Sequence, residues 1–130
     1  MKDQAFLKKS QRGELDAVPM YLALAVKFDA AHPEVAAILR SMAADEGRHA
    51  SVIKELSGLT LKPRKTLARV VPALLGLIGP RKTFAIIAKS EYAAFDNYAP
   101  WVDKYPTIAS VQADERKHGD LCHRIIDLLG

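Results

Sequence analysis

The chain has 130 residues, 49% of them apolar and 26% charged, with a formal net charge of +4; this is the size and balance of one globular domain built around a single core. Its one cysteine, Cys122, excludes an internal disulfide framework and any Cys-x-x-Cys zinc or rubredoxin-type iron site. No run of about 18 apolar residues offers a membrane-spanning helix, and the polar opening Met1-Lys2-Asp3-Gln4 does not read as a signal peptide, so a cytoplasmic protein without a transmembrane segment is expected.

Taken in chain order, every segment predicts helix. Ala, Leu, Lys and Glu abound, strand-like alternation is missing, and breakers recur at regular intervals. The first helix is expected from Asp3 to Ala30, ending at the His32-Pro33 turn. Pro33 suits the first turn of a second helix, which should continue to about Leu56 and stop at Ser57-Gly58. A crossover follows, with a short helix from Thr66 to Leu77 and a break at Gly79-Pro80. The third long helix is expected over Arg81–Asp103 and the fourth over Pro106–Leu129, with Tyr105-Pro106 as the second turn. Pro19 and Pro100 fall inside helices on this reading, so a kink or local break is expected at each. The resulting fold class is all-α: a ferritin-like antiparallel four-helix bundle of two hairpins joined by a crossover containing a short helix, forming a single domain over residues 1–130.

The two hairpins read as copies. Glu14 is followed seven residues later by Tyr21, and Glu91 by Tyr98; Ala44-Asp45-Glu46-Gly47-Arg48-His49 matches Ala113-Asp114-Glu115-Arg116-Lys117-His118. Glu14 lies 19 residues before Pro33 and Glu46 lies 13 after it, whereas Glu91 lies 15 before Pro106 and Glu115 lies 9 after it. Both arms of the second copy are thus shorter by about one helical turn, which keeps its two glutamates level across the hairpin.

Within each copy, the Glu-x-x-His spacing of Glu46/His49 and Glu115/His118 puts both side chains on one helix face. Glu14 and Glu91 add a carboxylate from each partner helix. One such pair alone is most often solvated, but two matched copies predict four carboxylates and two imidazoles meeting in mid-bundle. Four buried ionised carboxylates would be prohibitively costly unless protonated or neutralised, and two divalent cations balance them. Oxygen-rich donors with histidine suit iron or manganese, and zinc also fits them.

The set Glu14…Glu46-x-x-His49…Glu91…Glu115-x-x-His118 resembles the rubrerythrin family of the ferritin-like superfamily over nearly the whole chain. The resemblance implies a non-haem diiron centre with an Fe-O-Fe bridge and Glu14, Glu46, His49, Glu91, Glu115 and His118 as its ligands, through which these residues would be catalytic. It also implies that Tyr21 and Tyr98 hydrogen-bond ligand carboxylates; the alternative is that they are core aromatics. Asp45-Glu46-Gly47-Arg48-His49 is similar to the Asp-Glu-x-Arg-His motif of diiron oxygenases, in which the aspartate accepts a hydrogen bond from a ligand histidine. Asp45 and Asp114 are expected to do this here, or else to face water. Three departures matter. Many rubrerythrins carry an extra glutamate three residues past the third-helix ligand, where this sequence has Ala94. No rubredoxin motif is present, so an external electron donor protein is implied. The basic crossover is similar to that of erythrin-like domains fused to iron-transporting membrane segments.

The expected function is that of a rubrerythrin-like peroxidase or oxidoreductase that reduces hydrogen peroxide or dioxygen with Fe(II), in protection against oxidative stress. The alternatives are a ferroxidase or iron-binding module for storage or delivery, and a structural helical protein without a native metal. A homodimer is expected by resemblance, with the apolar crossover helix covered by the second copy. Setting four ligand glutamates aside leaves 11 acids against 19 bases, so the outer surface is nearer +8. Residues 61–90 hold seven bases (Lys62, Arg64, Lys65, Arg69, Arg81, Lys82, Lys89) and no acid. That stretch suits a solvated face, an anionic partner or membrane headgroups; with few interleaved aromatics, nucleic acid is not expected. His32 is expected to be exposed, His123 to point away from the ligands, and Cys122 to be a buried packing thiol.

Overall fold

The structure is a computed structural model, and it describes residues 2–130. Five helices and one short 3₁₀ turn account for nearly all of them: α1 (Lys2–Phe28), α2 (Pro33–Ser57), α3 (Thr66–Ile78), α4 (Pro80–Tyr98), the 3₁₀ turn Ala99–Trp101, and α5 (Ile108–Leu129). No strand occurs among the described residues, and no helix is long and apolar enough to cross a membrane. The fold is all-α and ferritin-like in its parts: two helical hairpins, α1–α2 and α4–α5, joined by a helical crossover. The chain divides into two compact units, one ending at Pro72 and the other beginning at Ala73.

In the first unit the buried positions follow the heptad spacing that keeps one helix face inward. On α1 they include Leu7, Gln11, Glu14, Tyr21, Leu24 and Phe28; on α2, Val35, Leu39, Met42, Glu46, His49 and Ile53. The turn between them closes through the His32 N–H donating to Phe28 O at 2.8 Å. It is clamped by Arg40, which donates to both carboxylate oxygens of Asp29 at 2.6 and 2.8 Å. That guanidinium holds the Asp29 carboxyl below its usual range. Gly58 ends α2 at φ +70, a left-handed conformation that a Cβ disfavours, and its N–H donates to Lys54 O.

The chain leaving α2 is tied back onto α1. Gln11 donates from Nε2 to Leu59 O at 3.0 Å and accepts from Ser57 Oγ at 2.5 Å. Buried Asp16 takes the Arg64 N–H at 2.7 Å and the Arg64 Nε and Nη2 at 2.9 and 2.7 Å. These buried polar groups fix where the crossover starts.

The second unit repeats the pattern with shorter arms. Phe84, Ile87, Glu91 and Tyr98 are buried on α4, and Ile108, Val111, Glu115, His118, Cys122 and Ile125 on α5. Gly119 permits a close approach: a Cβ there would lie 2.4 Å from Tyr92 Cε1. Tyr92 donates to Asp120 at 2.6 Å, and its ring stacks with that of His123 at 6.1 Å.

Two boundaries differ from expectation, and so does one interior position. The α-helix α4 ends at Tyr98 rather than Asp103, because the chain tightens into the 3₁₀ turn in which Pro100, lacking an N–H, is easily placed. The last helix begins at Ile108, two residues after Pro106. At Pro19, by contrast, α1 continues without a break.

Candidate metal centre

Each hairpin builds the same triad of two carboxylates and one imidazole. In the first unit, α1 contributes Glu14 and α2 contributes Glu46 and His49, all buried. His49 Nδ1 lies 2.7 Å from Glu14 Oε1 and 3.2 Å from Glu46 Oε1. In the second unit, α4 contributes Glu91 and α5 contributes Glu115 and His118, again all buried, with His118 Nδ1 3.6 Å from Glu91 Oε2. Within either triad, one donor atom from each residue lies within 4.8 Å of the others. The hairpin geometry therefore carries the duplication that the spacing predicts: in both copies, the histidine of the second helix faces the glutamate of the first.

All six side chains stand at inward heptad positions, where apolar residues would complete the packing. Burial of two carboxylates beside one imidazole is costly unless positive charge offsets it. Donors held about 2.1 Å from one cation stand about 3–4 Å from one another; the 3.2 and 3.6 Å separations fall in that range, and the 2.7 Å between His49 and Glu14 is slightly shorter. One divalent cation per triad also neutralises its two carboxylates when the imidazole is uncharged. The donor set fits a metal ion in each hairpin.

A family model described as Rubrerythrin matches residues 5–74. The chain belongs to the rubrerythrin family. The matched segment spans most of α1, all of α2 and the start of α3, so it includes Glu14, Glu46 and His49. Glu91, Glu115 and His118 lie beyond it and correspond to the first triad by internal duplication. No curated protein and no solved structure matches the chain. Iron is the metal typical of the rubrerythrin family, which agrees with the oxygen-rich, histidine-containing donors found here.

The remaining expected residues fall as follows. Tyr21 and Tyr98 are buried, seven residues and hence about two turns beyond Glu14 and Glu91 on the same faces. Asp45 pairs with Arg48 at 2.9 Å, and Asp114 lies 3.6 Å from Lys117, each one turn along its own helix. His32 is half-exposed, 3.8 Å from Glu34. Cys122 is buried and one turn past His118. Sequence reasoning missed the cluster around Tyr92, whose phenol is pushed up to about 12 by its hydrogen bond to Asp120 and then by burial. The seven-residue Glu–Tyr spacing drew notice to Tyr98 instead; the tyrosine directly after Glu91 carried no periodic signal. Gln11 and Asp16 were missed too, since a buried polar residue on α1 reads in sequence like any exposed one.

Proposed function

We propose that each triad holds one iron ion, making the protein a non-haem diiron oxidoreductase that reduces hydrogen peroxide or dioxygen. The observation that carries this reading is the buried two-glutamate, one-histidine triad present in both hairpins. Two ferrous ions held there would supply one electron each, enough with two protons to reduce one peroxide to two waters. Glu14, Glu46, His49, Glu91, Glu115 and His118 are the ligands in this reading. Both histidines turn Nδ1 toward glutamate oxygens, so Nδ1 faces the metal and Nε2–H is left to donate to an outer acceptor. Asp45 and Asp114 serve as those acceptors, fixing the tautomer. The Tyr21 and Tyr98 phenols donate to ligand carboxylates and hold their rotamers. Buried Met42, Ile53 and Ile87, each about one helical turn along its helix from a ligand residue, keep bulk water from the ligands. Electrons for further cycles come from a separate donor protein.

Stopped-flow mixing of the Fe(II)-loaded protein with peroxide tests the reading. Oxidation to a ferric centre much faster than that of free Fe(II) in the same buffer is expected; oxidation no faster than free Fe(II) discards it. One observation favours a ferroxidase that passes iron on: the basic crossover with its apolar helix α3 is similar to that of erythrin-like domains fused to iron-transporting membrane segments. Titration separates the two. A catalyst saturates with iron and turns over peroxide with added reductant, whereas a ferroxidase continues to consume iron.

A further inference from the structure

Helix α3 is the most apolar segment of the chain, yet Val71 is its one buried residue. Helical spacing places Leu67, Val70, Leu74 and Leu77 on a single stripe, at steps of three, four and three residues. Along it Leu67 is 40% exposed, Val70 55% and Leu77 82%. Lys62, Arg64 and Lys65 precede this helix, Arg69 lies on it, and Arg81 and Lys82 follow it, with no acid from residue 61 to residue 90. A cleft of about 440 Å³ lies at the start of α3, lined by Lys9, Arg12, Asp16, Arg64 and Leu67 among others. Asp16 is satisfied by Arg64, so the lining, with three bases and one acid, remains cationic.

We propose that α3 is a docking element for an anionic lipid surface, its Leu67–Leu77 stripe entering the interface while the surrounding bases meet lipid phosphates. An apolar face bounded by lysine and arginine is the composition that adsorbs to acidic bilayers. Thirteen residues of helix span about 20 Å, less than the roughly 30 Å of a hydrocarbon core, so α3 lies in the interface plane and does not cross it. A second copy of the chain is the competing occupant. A two-fold contact through α3 would bring this acid-free stretch against itself, whereas an anionic leaflet complements it. The cleft of Lys9, Arg12 and Arg64 beside Leu67 suits a phosphate headgroup.

Co-sedimentation of the full chain with vesicles tests this, using phosphatidylcholine alone and phosphatidylcholine mixed with phosphatidylglycerol. Binding to the mixed vesicles, weakened by salt and lacking for phosphatidylcholine alone, is expected. The double substitution Val70→Glu/Leu77→Glu should abolish it while circular dichroism and iron binding stay unchanged, since both side chains are exposed. Each base near an anionic leaflet strengthens adsorption about fivefold, so Lys65→Gln/Arg69→Gln should weaken it about 25-fold. Three results overturn the proposal: no binding to the mixed vesicles, equal binding to neutral ones, or a wild-type dimer that Val70→Glu/Leu77→Glu converts to monomer without any vesicle binding. Because iron loading is measured separately, loss of lipid binding and loss of the metal centre are distinguishable.

Discussion

At the scale of single residues, Gly119 gives a sharp test of packing in the second unit. A methyl group there would stand 2.4 Å from Tyr92 Cε1, and the ring is held by its hydrogen bond to Asp120 and its stacking on His123. Gly119→Ala should therefore cost about 1–3 kcal/mol, read as a lower midpoint of chemical denaturation. An unchanged midpoint would mean that the ring moves aside freely. The six buried carboxylates and imidazoles were legible because Glu-x-x-His places two donors on one face and the whole set occurs twice. Tyr92 and Gly119 were not legible: one lies on α4 and the other on α5, 27 residues apart, and their contact depends on tertiary approach that no local spacing encodes.

Among the elements, α1 has two tasks on two faces. Glu14 and Tyr21 follow the inward stripe, while Asp16, two residues from Glu14, points to the crossover and chelates Arg64. Asp16→Ala should release residues 60–65 without unfolding α1. The readout is hydrogen exchange at the Arg64 amide, which donates to Asp16. A bond to a charged acceptor contributes about 1.5–3 kcal/mol, so exchange should accelerate roughly 10- to 100-fold; protection left intact would show that the crossover is held by other means. The hairpins and the crossover helix were readable from the breakers His32-Pro33, Ser57-Gly58 and Gly79-Pro80, which end or start helices for local reasons. The end of α4 was not, because nothing in the run from Tyr98 to Asp103 except Pro100 marks the change from α-helical to 3₁₀ bonding. The tether of the crossover was equally hidden, since an Asp–Arg pair 48 residues apart has no sequence signature.

For the molecule as a whole, the account depends on metal ions offsetting the charge of the buried carboxylates in the two hairpins. A ligand that binds the folded chain alone must also stabilise it, by about 2.7 kcal/mol at a hundredfold excess over its dissociation constant. The fold class followed from composition and periodicity, and the two buried Glu/His triads followed from duplication. What the exposed apolar helix α3 meets was left open, because composition alone admits a solvated face, a second copy or a lipid surface. The most direct test is anaerobic titration of the full chain with Fe(II), followed by analysis of the bound metal. Saturation at two ions per chain is predicted, falling below two for His49→Ala and again for His118→Ala. A folded chain that retains no iron, or one that keeps both ions after the two histidines are replaced together, would contradict the account.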